Sequence, residues 1–128
     1  MSKQNGVFTG PSKTISYLGN HAYAYSGTVP VINADVELLE FTIGKEYMKG
    51  KLSVANTSGS GDDIRYYISF NDNIIFGWYF DANNYTGNFD GTPIPLVVPP
   101  LTTVKVTGRN LSSSTEREHT AMFKGRVY

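Results

Sequence analysis

The sequence contains no cysteine, which excludes disulfides, thiolate zinc sites and cysteine-bound iron–sulfur clusters. Charged residues make up only 17% of its 128 residues, and 11 Lys and Arg balance 11 Asp and Glu. Proteins that bind nucleic acid or anionic membranes usually have an excess of basic residues. This chain has no such excess, so neither is expected as a partner. The length predicts a single domain.

Long apolar runs are also missing, since no stretch approaches the roughly 18 residues of a membrane-spanning helix. The opening residues, MSKQNGVFTGPSKT, are polar and lack the apolar run of a signal peptide. We interpret residues 1–13 as a flexible arm and residues 14–128 as a single β-sandwich domain. No segment is predicted to be helical.

Aromatic residues, in contrast, make up 13% of the chain, and such residues favour strands. Clusters of Gly, Asn, Asp and Ser, which form turns, separate the apolar runs. The predicted strands are 14–18, 22–29, 36–43, 51–56, 64–70, 74–80, 94–98, 103–107 and 120–128. This pattern predicts an all-β, two-sheet antiparallel sandwich, and within that class a jelly roll of about eight strands. An immunoglobulin-like sandwich is the alternative, although no Trp occupies an early strand as that fold prefers.

The segment IRYYISFNDNIIFGWYF, residues 64–80, predicts a hairpin of two apolar strands. A three-residue loop at 71–73 places Phe70 opposite Ile74 and collects the large apolar side chains on one face. A two-residue loop would shift the pairing and mix the faces, so we expect the longer loop. In this register Tyr67 lies opposite Gly77 and covers its bare backbone.

Prolines mark the segment PIPLVVPPLTTVKVTGRN, residues 93–110. They confine strand 94–98 to a short position near a sheet edge. Pro99 and Pro100 are expected to carry the chain from one sheet to the other, with Leu101 filling the end of the core.

Apolar alternation assigns the faces of two further strands. In residues 36–43 the apolar positions change parity at Leu38–Leu39, which predicts a β-bulge or a strand that changes sheets. In the last strand, Phe123 and the residues at every second position from it form a buried face, while Lys124 and Arg126 lie on the solvent-exposed face.

Catalytic and metal-binding patterns are lacking. His21 and His119 are isolated, without the converging ligands that a metal requires. Glu37 and Glu40 lie on opposite faces of their strand, which does not favour the carboxyl pair of a glycosidase. No nucleophile elbow or phosphate-binding loop occurs. We therefore expect no enzymatic activity and no cofactor.

One loop, DANNYTGNFDG, offers the oxygen ligands Asp81, Asn83, Asn84 and Asp90. Calcium accepts oxygens of this kind, so the loop is a candidate calcium site. The spacing does not match an EF-hand, however, and side-chain-capped turns explain the same residues without a metal.

Tyr67, Ile75 and Tyr79 share the outer face of the predicted hairpin, and Tyr85 lies in the adjacent loop. Exposed aromatic residues fill protein interfaces and stack on sugars. Three interpretations stay open: a subunit interface, a glycan-binding platform, or residues covered by this chain's own loop or arm.

A polar arm, short Tyr-rich strands, VPPLTTVKVTGRN, a Ser/Thr-rich loop and a final FKGRVY strand follow one another. This order resembles the small all-β capsid decoration (cement) proteins of tailed bacteriophages, over residues 94–128 and in the strand spacing elsewhere. The resemblance implies a homo-oligomer, with a trimer favoured, that binds the major capsid protein or other virion subunits on the capsid surface. We expect a non-enzymatic virion structural protein. The alternative is a carbohydrate- or receptor-binding β-sandwich, lectin-like or at a phage fibre tip.

Overall fold

The structure is a computed structural model that describes residues 14–56, 63–80, 93–111 and 117–128. Within these residues all regular elements are strands, and no helix long and apolar enough to cross a membrane occurs. The strands are β1 (Ser16–Leu18), β2 (His21–Tyr25), β3 (Val29–Val31), β4 (Val36–Thr42), β5 (Met48–Asn56), β6 (Ile64–Phe70), β7 (Asn73–Phe80), β8 (Ile94–Val98), β9 (Thr103–Asn110) and β10 (Arg117–Val127). The expected arm, residues 1–13, lies outside the described residues.

Two antiparallel sheets pack face to face around one core. The larger sheet has the order β1-β2-β10-β5-β8, with β3 also paired to β10, and the smaller has the order β4-β9-β6-β7. Phe41 and Phe123 meet between the sheets with their ring centroids 5.1 Å apart, and both are buried. The predicted two-sheet antiparallel sandwich is confirmed.

Strand pairing follows one nested scheme. β6 pairs with β7, β5 with β8, β4 with β9 and β3 with β10, each time antiparallel. The second half of the chain thus runs back along the first as in one long hairpin, and successive pairs alternate between the sheets. This is the arrangement of a jelly roll, as predicted, and not that of an immunoglobulin-like sandwich.

The hairpin of β6 and β7 agrees with the predicted register except near its turn. Away from the turn the predicted partners are opposite each other: Ile64–Phe80, Tyr66–Trp78, Tyr67–Gly77 and Ile68–Phe76. The turn itself has two residues, Asn71 and Asp72, with φ of 50° and 69°. Two positive φ angles make a type I′ turn, whose twist suits a hairpin. The expected three-residue loop is therefore wrong.

A bulge reconciles this short turn with the register farther along the strands. Ser69 pairs with Ile74 and Ile68 with Phe76, so Ile75 is the extra residue. Ile74 consequently lies opposite Ser69 instead of Phe70, and it is 61% exposed. The expectation that Ile74 belongs to the core face is wrong, because the bulge moves it off that face.

Two other irregularities shape the strands. In β4 the register shifts between Glu37 and Leu39, and Leu38 and Leu39 are both fully buried, which confirms the predicted bulge. The predicted strand 22–29 is split into β2 and β3, because Gly27 adopts a φ of 73°. Beside it, the Ser26 hydroxyl accepts a hydrogen bond from the Ala121 amide at 2.9 Å, which ties the break to β10.

The proline segment crosses between the sheets as predicted. β8 forms one edge of the larger sheet, and β9 lies inside the smaller sheet. Leu101, however, is 67% exposed and adopts a φ of 59°. Its amide donates to the Gly44 carbonyl at 2.7 Å. Leu101 is therefore a turn residue held by its backbone, and the expectation that it fills the core is wrong.

Replacing Leu101 with glycine is expected to leave the free energy of unfolding unchanged or to raise it by up to about 1 kcal/mol. Relief of the left-handed backbone at a non-glycine residue contributes roughly that amount, and the added freedom of the unfolded chain opposes it. Urea denaturation measures the difference. The matched control is Leu96→Ala on β8, which removes a buried side chain and should cost about 2–4 kcal/mol. A loss of that size at Leu101 would contradict its role as a turn residue.

Candidate interaction surfaces

The predicted platform of Tyr67, Ile75, Tyr79 and Tyr85 is only partly within the described residues. The Tyr67 ring lies against Gly77, where an added Cβ would be 2.8 Å from the ring. The guanidinium carbon of Arg65 lies 4.6 Å from the centroid of the same ring. The predicted cover of Gly77 is thus confirmed, and Tyr67 is engaged by its own chain. The side chain of Tyr79 and all of Tyr85 lie outside the description.

The candidate calcium loop, with Asp81, Asn83, Asn84 and Asp90, also lies outside the described residues. In the part of the chain that the structure describes, no group of three or more His, Asp or Glu side chains is arranged to hold a metal ion. The calcium hypothesis therefore stays a prediction from the sequence.

An exposed apolar cluster lies on strand β7, near the hairpin turn. Ile74, Ile75 and Phe76 are consecutive and 61%, 46% and 46% exposed. Ile75 was expected on this surface. Phe76 was expected on the core face with Ile68, and it does lie opposite Ile68, but it remains 46% exposed. Ile74 joins the exposed surface because of the bulge, which sequence alternation alone does not reveal.

On the outer face of the smaller sheet, two cations form ion pairs with carboxylates of the same chain. Arg65 contacts Asp35 at 3.0 Å, and Lys105 contacts Asp72 at 2.9 Å. The hydrogen bond and charge of Asp72 raise the pKa of Lys105. Arg109 donates from Nε to the side-chain oxygen of Asn33 at 3.0 Å. Two of these three cations thus have a carboxylate within ion-pair distance, whereas Arg109, which lies directly opposite Arg65, is bonded to a neutral amide.

The outer face of the larger sheet carries a block of positive charge that the balanced composition of the sequence does not indicate. Four exposed cations form a block on the two central strands, with Lys51 directly opposite Lys124 and Lys49 directly opposite Arg126. Among the described residues, no carboxylate is paired with any of the four. We call these residues, Lys49, Lys51, Lys124 and Arg126, the basic face.

A shallow depression of about 440 Å³ lies on the basic face. The backbone of Gly50 and Gly125 contributes to its lining, as do His21 and Tyr23 of β2. Like charges directly opposite each other on neighbouring strands destabilise a sheet. The two opposed pairs therefore concentrate positive charge around the depression.

Aromatic rings border the basic face on two sides. His21, Tyr23 and Tyr25 alternate along β2 and are all exposed. Tyr23 lies opposite Lys124, and His21 lies opposite Arg126. At the end of the sheet, the Tyr128 ring lies 5.4 Å from the Lys49 ammonium and 5.7 Å from the Arg126 guanidinium carbon.

A buried polar pair joins the two sheets inside the core. His119 of β10 is fully buried, and its Nδ1 lies 2.6 Å from the Tyr66 hydroxyl of β6. Burial lowers the pKa of His119 from 6.5 to about 4. The histidine is therefore neutral at physiological pH, and its role here is to satisfy a buried hydroxyl across the sheets.

The stability of the fold should depend on pH through His119. Because its folded-state pKa is lowered, its neutral form contributes stability that is fully present above about pH 6.5 and is lost as pH falls towards 4. We expect this residue to cost about 3 kcal/mol between pH 7 and pH 4. His119→Gln, which can keep a hydrogen bond to Tyr66, should remove that dependence.

Urea titrations of the wild type and both histidine variants at pH 7, 5.5 and 4 measure this effect. His21→Gln is the matched control, because His21 is exposed, and it should follow the wild-type profile. Superimposable pH profiles of the wild type and His119→Gln would contradict the assignment.

Comparison with known proteins gives no family for this chain. No family model matches it, and no curated protein matches its sequence. Two exposed surfaces are therefore the candidates for function: the basic face and the β7 edge, which is the unpaired side of β7 at the end of the smaller sheet.

Proposed function

We propose that this protein is a non-enzymatic structural subunit of a virion, of the capsid decoration class. It assembles with copies of itself through the β7 edge and binds the outer surface of the shell. The observation that carries the proposal is that β7 is a long, uncharged sheet edge whose only protection against pairing, among the described residues, is one bulge. The jelly-roll sandwich and the sequence resemblance to decoration proteins support the same class.

The edge strands of the two sheets differ in how they are protected. β1 and β3 are only three residues long, β8 contains Pro95, and β4 has a bulge and two glutamates. Such features prevent a sheet edge from pairing with another chain. β7 has eight residues, NIIFGWYF, with no charge and no proline. Its bulge is its only such device among the described residues, in which no further strand pairs with it.

The exposed isoleucines give this edge an apolar surface, which another protein surface would stabilise by covering it. Ile74 and Ile75 lie beside each other at the turn end of β7, and both are largely exposed. Burying such apolar area stabilises an interface by roughly 25 cal/mol for each Å² removed from water. Clusters of consecutive apolar residues on an edge strand are typical of protein contacts or of aggregation.

Two assemblies fit such an edge. Two copies can pair their β7 strands antiparallel in a two-fold dimer. Alternatively, β7 can contact a different surface of the next copy, which closes into a ring. The resemblance to decoration proteins favours the ring, and specifically a trimer.

The glycan-binding alternative gains no support from the described residues. The central ring of the expected platform, Tyr67, is already in contact with Arg65 and with the backbone at Gly77. Sugar stacking needs an open ring face. A receptor-binding role is therefore the weaker proposal.

The solution mass tests the assembly proposal. Light scattering during size-exclusion chromatography should give about three times the 14.1 kDa of one chain. The double variant Ile74→Lys, Ile75→Lys should weaken association at least tenfold, because it places charge in the contact. Val97→Lys is the matched control, since Val97 is 58% exposed on the β8 edge, and it should leave the mass unchanged. A wild-type monomer at tens of micromolar would contradict self-assembly.

Shell binding tests the virion role separately. The purified protein should co-sediment with empty heads of its own phage, and the Ile74→Lys, Ile75→Lys variant should bind them more weakly because it loses avidity. An oligomer that shows no affinity for heads would contradict the decoration role while leaving the interface intact.

A further inference from the structure

We propose that the basic face binds single-stranded nucleic acid, with phosphates along the four cations and bases stacked on the neighbouring ring column of β2. This inference is independent of the proposed virion role. It rests on the arrangement of charges and rings on one side of the larger sheet.

The positive charge of this face is local, although the charge of the whole chain is balanced. Lys49, Lys51, Lys124 and Arg126 account for 4 of the 11 Lys and Arg of the chain, and they occupy one block of two strands. The carboxylates nearest in sequence, Glu46 and Glu118, precede the two strand segments that form the block. A neutral protein thus presents a local positive field, which attracts a polyanion.

The spacing of the four cations suits an extended single strand. Side chains at alternate positions of a strand lie about 6.6–6.8 Å apart, and neighbouring strands lie about 4.8 Å apart. Lys49 and Lys51 on β5, and Lys124 and Arg126 on β10, therefore form two parallel columns of positive charge. This repeat is comparable with the length of one extended nucleotide, so consecutive phosphates of a single strand can follow a column.

A row of rings on β2 lies beside the cations of β10. His21, Tyr23 and Tyr25 repeat along β2 at the same spacing as the cations of the adjacent β10. Single-stranded nucleic-acid sites combine a positive track for the backbone with rings on which successive bases stack. Tyr23, which lies across from Lys124 and lines the depression, is the central ring of this column.

A protein partner explains this face less well. Lysine is depleted in protein interfaces, yet three of the four cations are lysines. An open sheet surface with paired lysines and a row of rings suits a flexible chain of phosphates and bases better than a folded, close-packed surface.

Fluorescence anisotropy of a labelled twelve-nucleotide oligothymidylate, titrated with the full-length protein, tests the proposal. If all four cations neutralise phosphates, the logarithm of affinity should fall with the logarithm of salt with a slope of roughly −2.8. That slope corresponds to about fiftyfold weaker binding at 200 mM than at 50 mM salt. No binding at 50 mM salt would overturn the proposal.

Matched variants locate the site. Lys51→Gln with Lys124→Gln removes one opposed pair and should halve the salt slope to roughly −1.4. Lys105→Gln with Arg109→Gln removes the same charge from the smaller sheet and should leave the slope unchanged. Equal effects of the two double variants would overturn the assignment to the basic face.

The rings separate nucleic acid from other polyanions. Tyr23→Leu should weaken oligothymidylate binding about tenfold without changing the salt slope, whereas Tyr23→Phe should bind like the wild type. A sulfated polysaccharide of matched charge, or phosphatidylserine vesicles, should compete more weakly than the oligonucleotide. Stronger competition by either, or full affinity in Tyr23→Leu, would overturn the nucleic-acid assignment.

Discussion

The nested antiparallel pairing of β3–β6 with β7–β10 is the constraint from which the other features of this protein follow. It sends alternate pairs to alternate sheets, so the innermost hairpin, β6–β7, ends at the edge of the smaller sheet. It also brings the last strand, β10, to the middle of the larger sheet, between β2 and β5. The exposed β7 edge and the basic face are therefore two consequences of one topology.

The core holds this topology together across the gap between the sheets. Phe123 of β10 packs against Phe41 of β4, and His119 of β10 meets Tyr66 of β6. The central strand of one sheet thus contacts the other sheet through both apolar and polar groups. A hydroxyl buried without a partner is costly, so the Tyr66–His119 bond also fixes the relative position of the two sheets.

Some features that depend on a few neighbouring residues could be predicted from the sequence, and side-chain neighbours on distant strands could not. The change of parity at Leu38–Leu39 indicated a bulge, and the prolines indicated an edge strand, because each signal lies within a few residues. The turn at Asn71–Asp72 was misjudged, since a bulge at Ile75 restores a register that the short turn alone would shift. Lys51 and Lys124 are more than 70 residues apart in the chain. Only the pairing of β5 with β10 makes them neighbours, so net charge concealed the basic face.

The two outer faces differ in how far their charges are compensated. On the smaller sheet, Arg65 and Lys105 each have a carboxylate within ion-pair distance, while Arg109, directly opposite Arg65, donates to the Asn33 side chain. On the larger sheet, two pairs of like charges face each other without such compensation among the described residues. Like-charge pairs lower stability, and the polyanion proposed for this face would supply the missing negative charge. The β7 edge belongs to the smaller sheet, so a two-fold dimer that pairs two β7 strands is made through the edge of that sheet and not through the outer face of the larger one. In such a dimer the proposed self-assembly and the proposed binding of a polyanion use different surfaces.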